Sequence, residues 1–199
     1  MFSKDSLKLK IQTAVTVALI ASGIIPAVQA EVTDASVNNP SGTTITNGST
    51  SYAVDLRSEG PYTVINAGRI TAASKTEDVS AIQIDDVAVT TLTNTGDGII
   101  NGIISGTAYG VGSGGYGIHL IGYYGETSIT TLTNSGTISG EEAQYAYGIH
   151  LLGYYGDISI TTLTNSGIIS GTSSSSDGHG IYINPDSSSV VTINTLTNT

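Results

Sequence analysis

From Ile45 onward the apolar residues come in short alternating runs, not in the three-and-four spacing of a helix. Tyr52-Ala53-Val54-Asp55-Leu56, Ser80-Ala81-Ile82-Gln83-Ile84 and Tyr116-Gly117-Ile118-His119-Leu120 share one rule: small, apolar, variable, apolar. Tyr147 to Leu151 and His179 to Ile183 extend the series. Strict period two describes a strand with one buried face, so Val54, Ile82, Ile118, Ile149 and Ile181 are expected to stack inside. Asp55, Gln83, His119, His150 and Tyr182 are then expected to form a single solvent-exposed column.

The runs belong to an internal repeat. TTLTNSGTISG at 130–140 returns as TTLTNSGIISG at 161–171, and YGIHLIGYYGETSI at 116–129 returns as YGIHLLGYYGDISI at 147–160. Anchoring on the asparagine that ends each TLTN-like run gives Asn47, Asn66, Asn94, Asn134, Asn165 and Asn198, at spacings of 19, 28, 40, 31 and 33 residues. A unit of this length has too few apolar side chains to close a core alone, so its copies must stack. The fold class predicted is all-β, a parallel β-helix or β-solenoid of right hand, over residues 45–199. A polar lead-in with a turn cluster at Asn38 to Gly42 is expected over 31–44. The glycine-rich stretch 97–115 reads as an extra partial rung or a protruding loop, and the TLTN ending at Asn198 reads as the start of an incomplete rung.

The first 30 residues have a different pattern. Lys4, Lys8 and Lys10 precede an apolar run from Ile11 to Ile25, followed by Pro26 and Ala27-Val28-Gln29-Ala30. This is the plan of a secretory signal peptide with small residues before the cut, and the run is too short for a comfortable membrane span. Three of the six basic residues and one of the 16 acidic ones lie in it, which leaves three against fifteen. No Lys or Arg follows Lys75, so a phosphate-neutralising surface cannot be built and nucleic acid is excluded as a partner. There is no cysteine, so the stack itself must supply stability after export, and the chain stays threadable through a second membrane.

NAGRI at 66–70, NSGTI at 134–138 and NSGII at 165–169 repeat the text asparagine, small residue, glycine, any residue, isoleucine. With the signal peptide, this resembles the passenger domains of Gram-negative autotransporters, over residues 45–199. The resemblance implies a β-helix shown at the cell surface or outer membrane, or released outside, and secretion through a C-terminal translocator barrel. No strand series of that barrel stands in this sequence, which reads as the N-terminal portion of such a protein.

Candidate chemistry is sparse. Asn66, Asn94, Asn134 and Asn165 read as a structural ladder of amides bonding from rung to rung. Two rungs insert Gly122-Tyr123-Tyr124-Gly125 and Gly153-Tyr154-Tyr155-Gly156, matched corner loops whose Tyr123, Tyr124, Tyr154 and Tyr155 are the candidate binding residues for a host-cell glycan or protein. His119 and His150 fall on equivalent positions, but two ligands make a poor metal site, and Glu126 and Asp157 make only a loose calcium site. No metal and no cofactor is expected. Asp85-Asp86 and Gly178-His179-Gly180 resemble text of β-helical pectin-degrading enzymes, whose basic partners are missing here. The expectation is a non-enzymatic, adhesin-like passenger. A polysaccharide-active solenoid and a purely structural spacer are the alternatives.

Overall fold

The computed structural model describes residues 28–29, 32–47, 51–58, 60–96, 102–110 and 112–199. Among them are eighteen strands, numbered in chain order, in three parallel six-stranded sheets. Sheet A holds β1 (Val28–Gln29), β4 (Thr44–Thr46), β7 (Arg69–Ser74), β10 (Ile103–Ala108), β13 (Thr137–Glu141) and β16 (Ile168–Thr172). Sheet B holds β2 (Val32–Thr33), β5 (Tyr52–Leu56), β8 (Val79–Asp85), β11 (Gly114–Gly122), β14 (Tyr145–Gly153) and β17 (Asp177–Pro185). Sheet C holds β3 (Val37–Asn39), β6 (Tyr62–Asn66), β9 (Ala88–Asn94), β12 (Thr127–Asn134), β15 (Ile158–Asn165) and β18 (Val191–Asn198). The chain visits A, B and C in turn and steps one strand along each sheet at every pass. The product is a parallel β-solenoid whose last four turns, from β7 to β18, carry long strands on all three sides.

The alternation in the sequence explains the interior. Val54, Ile82, Ile118 and Ile149 lie in exact register on sheet B, and Leu92, Leu132 and Leu163 do so on sheet C. All are fully buried, and Ile70, Ile104 and Ile138 complete the core from sheet A. Glycine is required where sheets A and B converge. A Cβ on Gly140 would stand 2.5 Å from the carbonyl oxygen and 2.6 Å from the nitrogen of Tyr147, so no side chain fits at the end of the ISG text.

At the corner between sheets C and A the asparagines form a continuous hydrogen-bonded column. Asn39 Nδ2 donates to Asn66 Oδ1 at 2.7 Å, Asn66 to Asn94 at 2.8 Å, Asn94 to Asn134 at 2.8 Å, Asn134 to Asn165 at 2.7 Å and Asn165 to Asn198 at 2.7 Å. The same amides also donate to main-chain carbonyls, Asn134 to Ile168 O at 3.0 Å for one. This satisfies groups that burial would otherwise leave costly.

Two readings of the sequence are corrected here. Asn47, an anchor of the expected repeat, is not equivalent to the other anchors: it bonds main-chain groups of Ala73 at the opposite end of sheet A, and the column begins among the described residues at Asn39. The expected lead-in therefore already contains solenoid, because Val32–Thr33 pair with Val54 and Asp55, and Val37–Asn39 with Val64 to Asn66. The TLTN that ends at Asn198 lies in β18 and pairs in register with the TLTN of β15.

The stretch 97–115 is not an extra rung: Ile103–Ala108 is an ordinary sheet A strand between β7 and β13. Its surplus length lies at two corners. Seven residues separate Asn94 from Gly102 where one separates Asn134 from Gly136, and the gap closes through Gly102 N donating to Thr95 O at 2.7 Å. Most of the expected signal peptide, 1–27 with Ala30, lies outside the described residues; Val28–Gln29 pair in parallel with Thr44 and Ile45. Among the described residues no helix is long and apolar enough to cross a membrane.

Candidate functional site

The matched loops leave sheet B at its far end. Asp86 occupies the same corner one turn earlier, with φ of 51°, and its Oδ1 accepts Tyr123 N at 2.8 Å while its Oδ2 accepts Tyr124 N at 3.2 Å. The next loop is hung on the first, Tyr154 N donating to Gly122 O at 2.9 Å and Gly156 N to the same oxygen at 3.2 Å. These bonds hold the two loops one above the other, so the ring pairs stack. Tyr123 and Tyr154 lie 5.0 Å apart at 4°, and Tyr124 and Tyr155 5.8 Å apart at 6°. The outer pair stands in solvent, Tyr124 85% and Tyr155 64% exposed, and the inner pair is half covered at 41% and 39%.

The stacking changes what the tyrosines offer. Each pair covers one face of each ring, so the ladder presents ring edges and hydroxyls along the stack and free faces only at its ends.

Next to the corner lies the outer face of sheet B, where the expected exposed column is not exposed. Asp55 and Gln83 are buried, and His119 and His150 are only 8% and 5% exposed; Tyr182, on the last turn, is partly covered. The cover comes from Tyr116 and Tyr147, which strict alternation would have put inside. The strand pairing skips Gly117 and Gly148 while keeping one register on either side, Tyr116 with Tyr147 and Ile118 with Ile149, and the Tyr116 ring packs 4.6 Å from His119 and 5.0 Å from His150. Tyr147 lies 5.0 Å from His150 and 4.5 Å from Tyr182. The result is an aromatic layer outside the solenoid, separate from the aliphatic core. The repeated Tyr-Gly-Ile-His text was the available signal, since a glycine inside an alternating run marks a break.

His119 and His150 stack 4.6 Å apart at 10°. Near-parallel rings aim their nitrogen lone pairs in parallel, whereas two ligands on one metal must turn theirs toward a common point. His119 Nε2 and both ring nitrogens of His150 are buried without a hydrogen-bond partner. Burial therefore favours the neutral imidazoles: desolvation and the neighbouring His150 hold His119 well below its ordinary value, and desolvation lowers His150 to about 4.

Of the paired aspartates, Asp86 is committed to the corner. Asp85 lies on the outer face of sheet B, with Oδ1 buried and unpartnered. Desolvation first, then the charge of Asp86, raises its carboxyl to about 6 against the pull of Arg57. Gly178-His179-Gly180 lies three strands along the sheet, in β17 against β8, roughly 14 Å across at about 4.8 Å per strand, and His179 aligns with Ser80, not with Asp85, so the true separation is greater still. The two fragments that resemble pectin-degrading text do not meet. On the second turn Arg57 lies over the Tyr52 ring, 4.9 Å from its centroid, with its Nε 2.6 Å from Asp55 Oδ1. Glu126 and Asp157 follow the two tyrosine loops as exposed carboxylates.

No family model matches the chain, and neither a curated protein nor a solved structure does.

Proposed function

We propose that this chain is an exported, adhesin-like solenoid of the autotransporter passenger type, a rigid stalk that makes non-enzymatic contact with a host-cell glycan or protein through its tyrosine corners. The observation that carries the reading is the pair of in-register tyrosine stacks, held by backbone hydrogen bonds yet left open to solvent. Tyrosine is a rigid amphipathic side chain that adds contact area at little entropic cost. Holding four of them on two turns of a stiff scaffold preorganises a surface, which raises affinity without adding contacts. The signal-peptide text at 1–30 and the NxGxI text support export, with a translocator barrel as the partner in secretion.

The test is binding of the full chain to host cells and to a glycan array, compared with a Tyr123, Tyr124, Tyr154 and Tyr155 quadruple alanine variant. Loss of binding with an unchanged β-sheet circular-dichroism spectrum is the expected result; unchanged binding would sink the tyrosine surface. An immunoblot of fractionated source cells checks the location, and a purely cytoplasmic product would end the passenger reading. The raised pKa of Asp85 favours one second reading, a polysaccharide-active solenoid with that carboxyl as an acid. Reducing-sugar release from polygalacturonate that vanishes in Asp85→Asn would establish it.

A further inference from the structure

We propose that the tyrosine corners take the arginine or lysine side chains of a partner polypeptide, each cation stacking on a tyrosine and pairing with Glu126 or Asp157. This rests on the adhesive reading and names the chemistry of its partner.

The molecule contains the arrangement in finished form. On the second turn a tyrosine, a guanidinium and a carboxylate make one unit: Tyr52 under Arg57, and Asp55 on the Arg57 Nε. Cation and ring attract through the ring quadrupole, while the carboxylate fixes the guanidinium by a charge-assisted hydrogen bond. The corners repeat two of the three parts. Tyr124 is followed two residues later by Glu126, and Tyr155 two residues later by Asp157. Glu126 Oε1 accepts only a long bond from Ser159 Oγ at 3.4 Å, and Asp157 Oδ1 accepts Val190 N at 2.8 Å. Among the described residues neither carboxylate meets a cationic side chain. No Lys or Arg occurs in the chain after Lys75, and Arg57, which acts electrostatically on Tyr123 from two turns earlier, is engaged by Asp55.

Charge selects among partners. With a formal net charge of −10 on the chain, and every charged side chain of β11 to β18 and their loops acidic apart from histidine, sulfated, sialylated or uronic acid glycans are repelled. A neutral glycan would use the rings and ignore the carboxylates. A basic polypeptide surface uses both.

The probe is a fluorescent oligoarginine peptide titrated against the full chain, beside the same peptide with citrulline at every arginine, which keeps the shape and removes the charge. Three double variants are compared: Tyr124→Ala with Tyr155→Ala, Glu126→Gln with Asp157→Asn, and Glu142→Gln with Asp177→Asn. The last pair removes the same charge away from the corners and controls for general attraction. The first two variants are expected to weaken arginine-peptide binding about tenfold each, the control less than twofold, and citrulline to abolish most of the affinity.

Equal weakening in the control, equal affinity for citrulline, or no binding of the arginine peptide overturns the proposal. The adhesive reading is judged separately. Binding to cells or a neutral glycan that the tyrosine variants lose, without preference for arginine over citrulline, leaves that reading standing and removes this one. Tyrosine variants that change no binding at all remove both.

Discussion

Two ladders of identical side chains run along this solenoid, and they obey different rules. The asparagine column passes through all six turns from Asn39 to Asn198, and its inner members Asn66, Asn94 and Asn134 are fully buried. The tyrosine stacks occupy two turns and face water. Each asparagine donates to the next one and to a carbonyl, so every turn depends on its neighbours for the satisfaction of buried polar groups. Each tyrosine could be removed without leaving a buried group unpaired. Repetition along the whole axis is the mark of a requirement of the fold, and repetition over two turns at an exposed corner is what a surface feature looks like.

The largest effect is expected from breaking the first ladder in its middle. Asn134→Ala removes the acceptor of Asn94 Nδ2 and the donor to Asn165 Oδ1 and Ile168 O, and should cost about 3 kcal/mol or more. Urea unfolding with an unchanged m-value measures it, and a loss below 1 kcal/mol would refute the column's role.

The histidine pair should follow closely, as a function of pH. Burial depresses both folded pKa values, so unfolding takes up protons on acidification. The stability present above the unfolded value near 6.5 is lost as pH falls toward about 4 for His150, and His119, also held well below its ordinary value, acts in the same sense. His150 alone accounts for roughly 3 kcal/mol at 1.36 per unit. Thermal melts between pH 7 and 4 should show this slope, reduced in His150→Phe; an equal slope in the variant would contradict the assignment.

Asp85 should act in the opposite sense and more weakly. Its folded pKa is raised, so its contribution is complete below 3.8 and lost as pH rises through about 6. Asp85→Asn is expected to stabilise the protein at pH 7, and because the group is half exposed the gain stays under about 1 kcal/mol. A melting temperature that falls at pH 7 would count against this.

The smallest effect on stability belongs to the second ladder. Tyr124→Ala with Tyr155→Ala should shift unfolding by about 0.5 kcal/mol or less, as at exposed sites, while changing binding. A loss comparable to that of Asn134→Ala would make the tyrosines structural and erase the contrast.

Particular residues show how far the sequence could be read. Val54, Ile82, Ile118 and Ile149 follow from period two, and the stacked solenoid follows from the repeat, because both are properties of one strand and one period. Asn47 misled because its Ile-Thr-Asn text imitates the TLTN end while belonging to sheet A. Asn39 was overlooked because its own run, Val37-Asn38-Asn39, is only three residues long. The tyrosine corners were legible as a matched pair of insertions, but their stacking angle, and hence the loss of ring faces to each other, depends on the bonds from Tyr154 and Gly156 to Gly122.

By itself the sequence determined the strand class, the period, the aliphatic core and the places where an amide or a tyrosine recurs. Those rest on local alternation and repetition, which pleated geometry converts directly into faces and rungs. Only the tertiary structure decided that sheet B is buried on both faces along β8, β11 and β14. A side chain that alternation points outward is exposed only if nothing comes to cover it. The rings that cover His119 and His150 include side chains from strands about one repeat away along the chain, brought alongside by the stacking of turns. The structure also showed that Tyr52, Asp55 and Arg57, neighbours in the chain, close into a cation-binding unit, while Glu126 and Asp157, two residues after Tyr124 and Tyr155, meet no cationic side chain among the described residues.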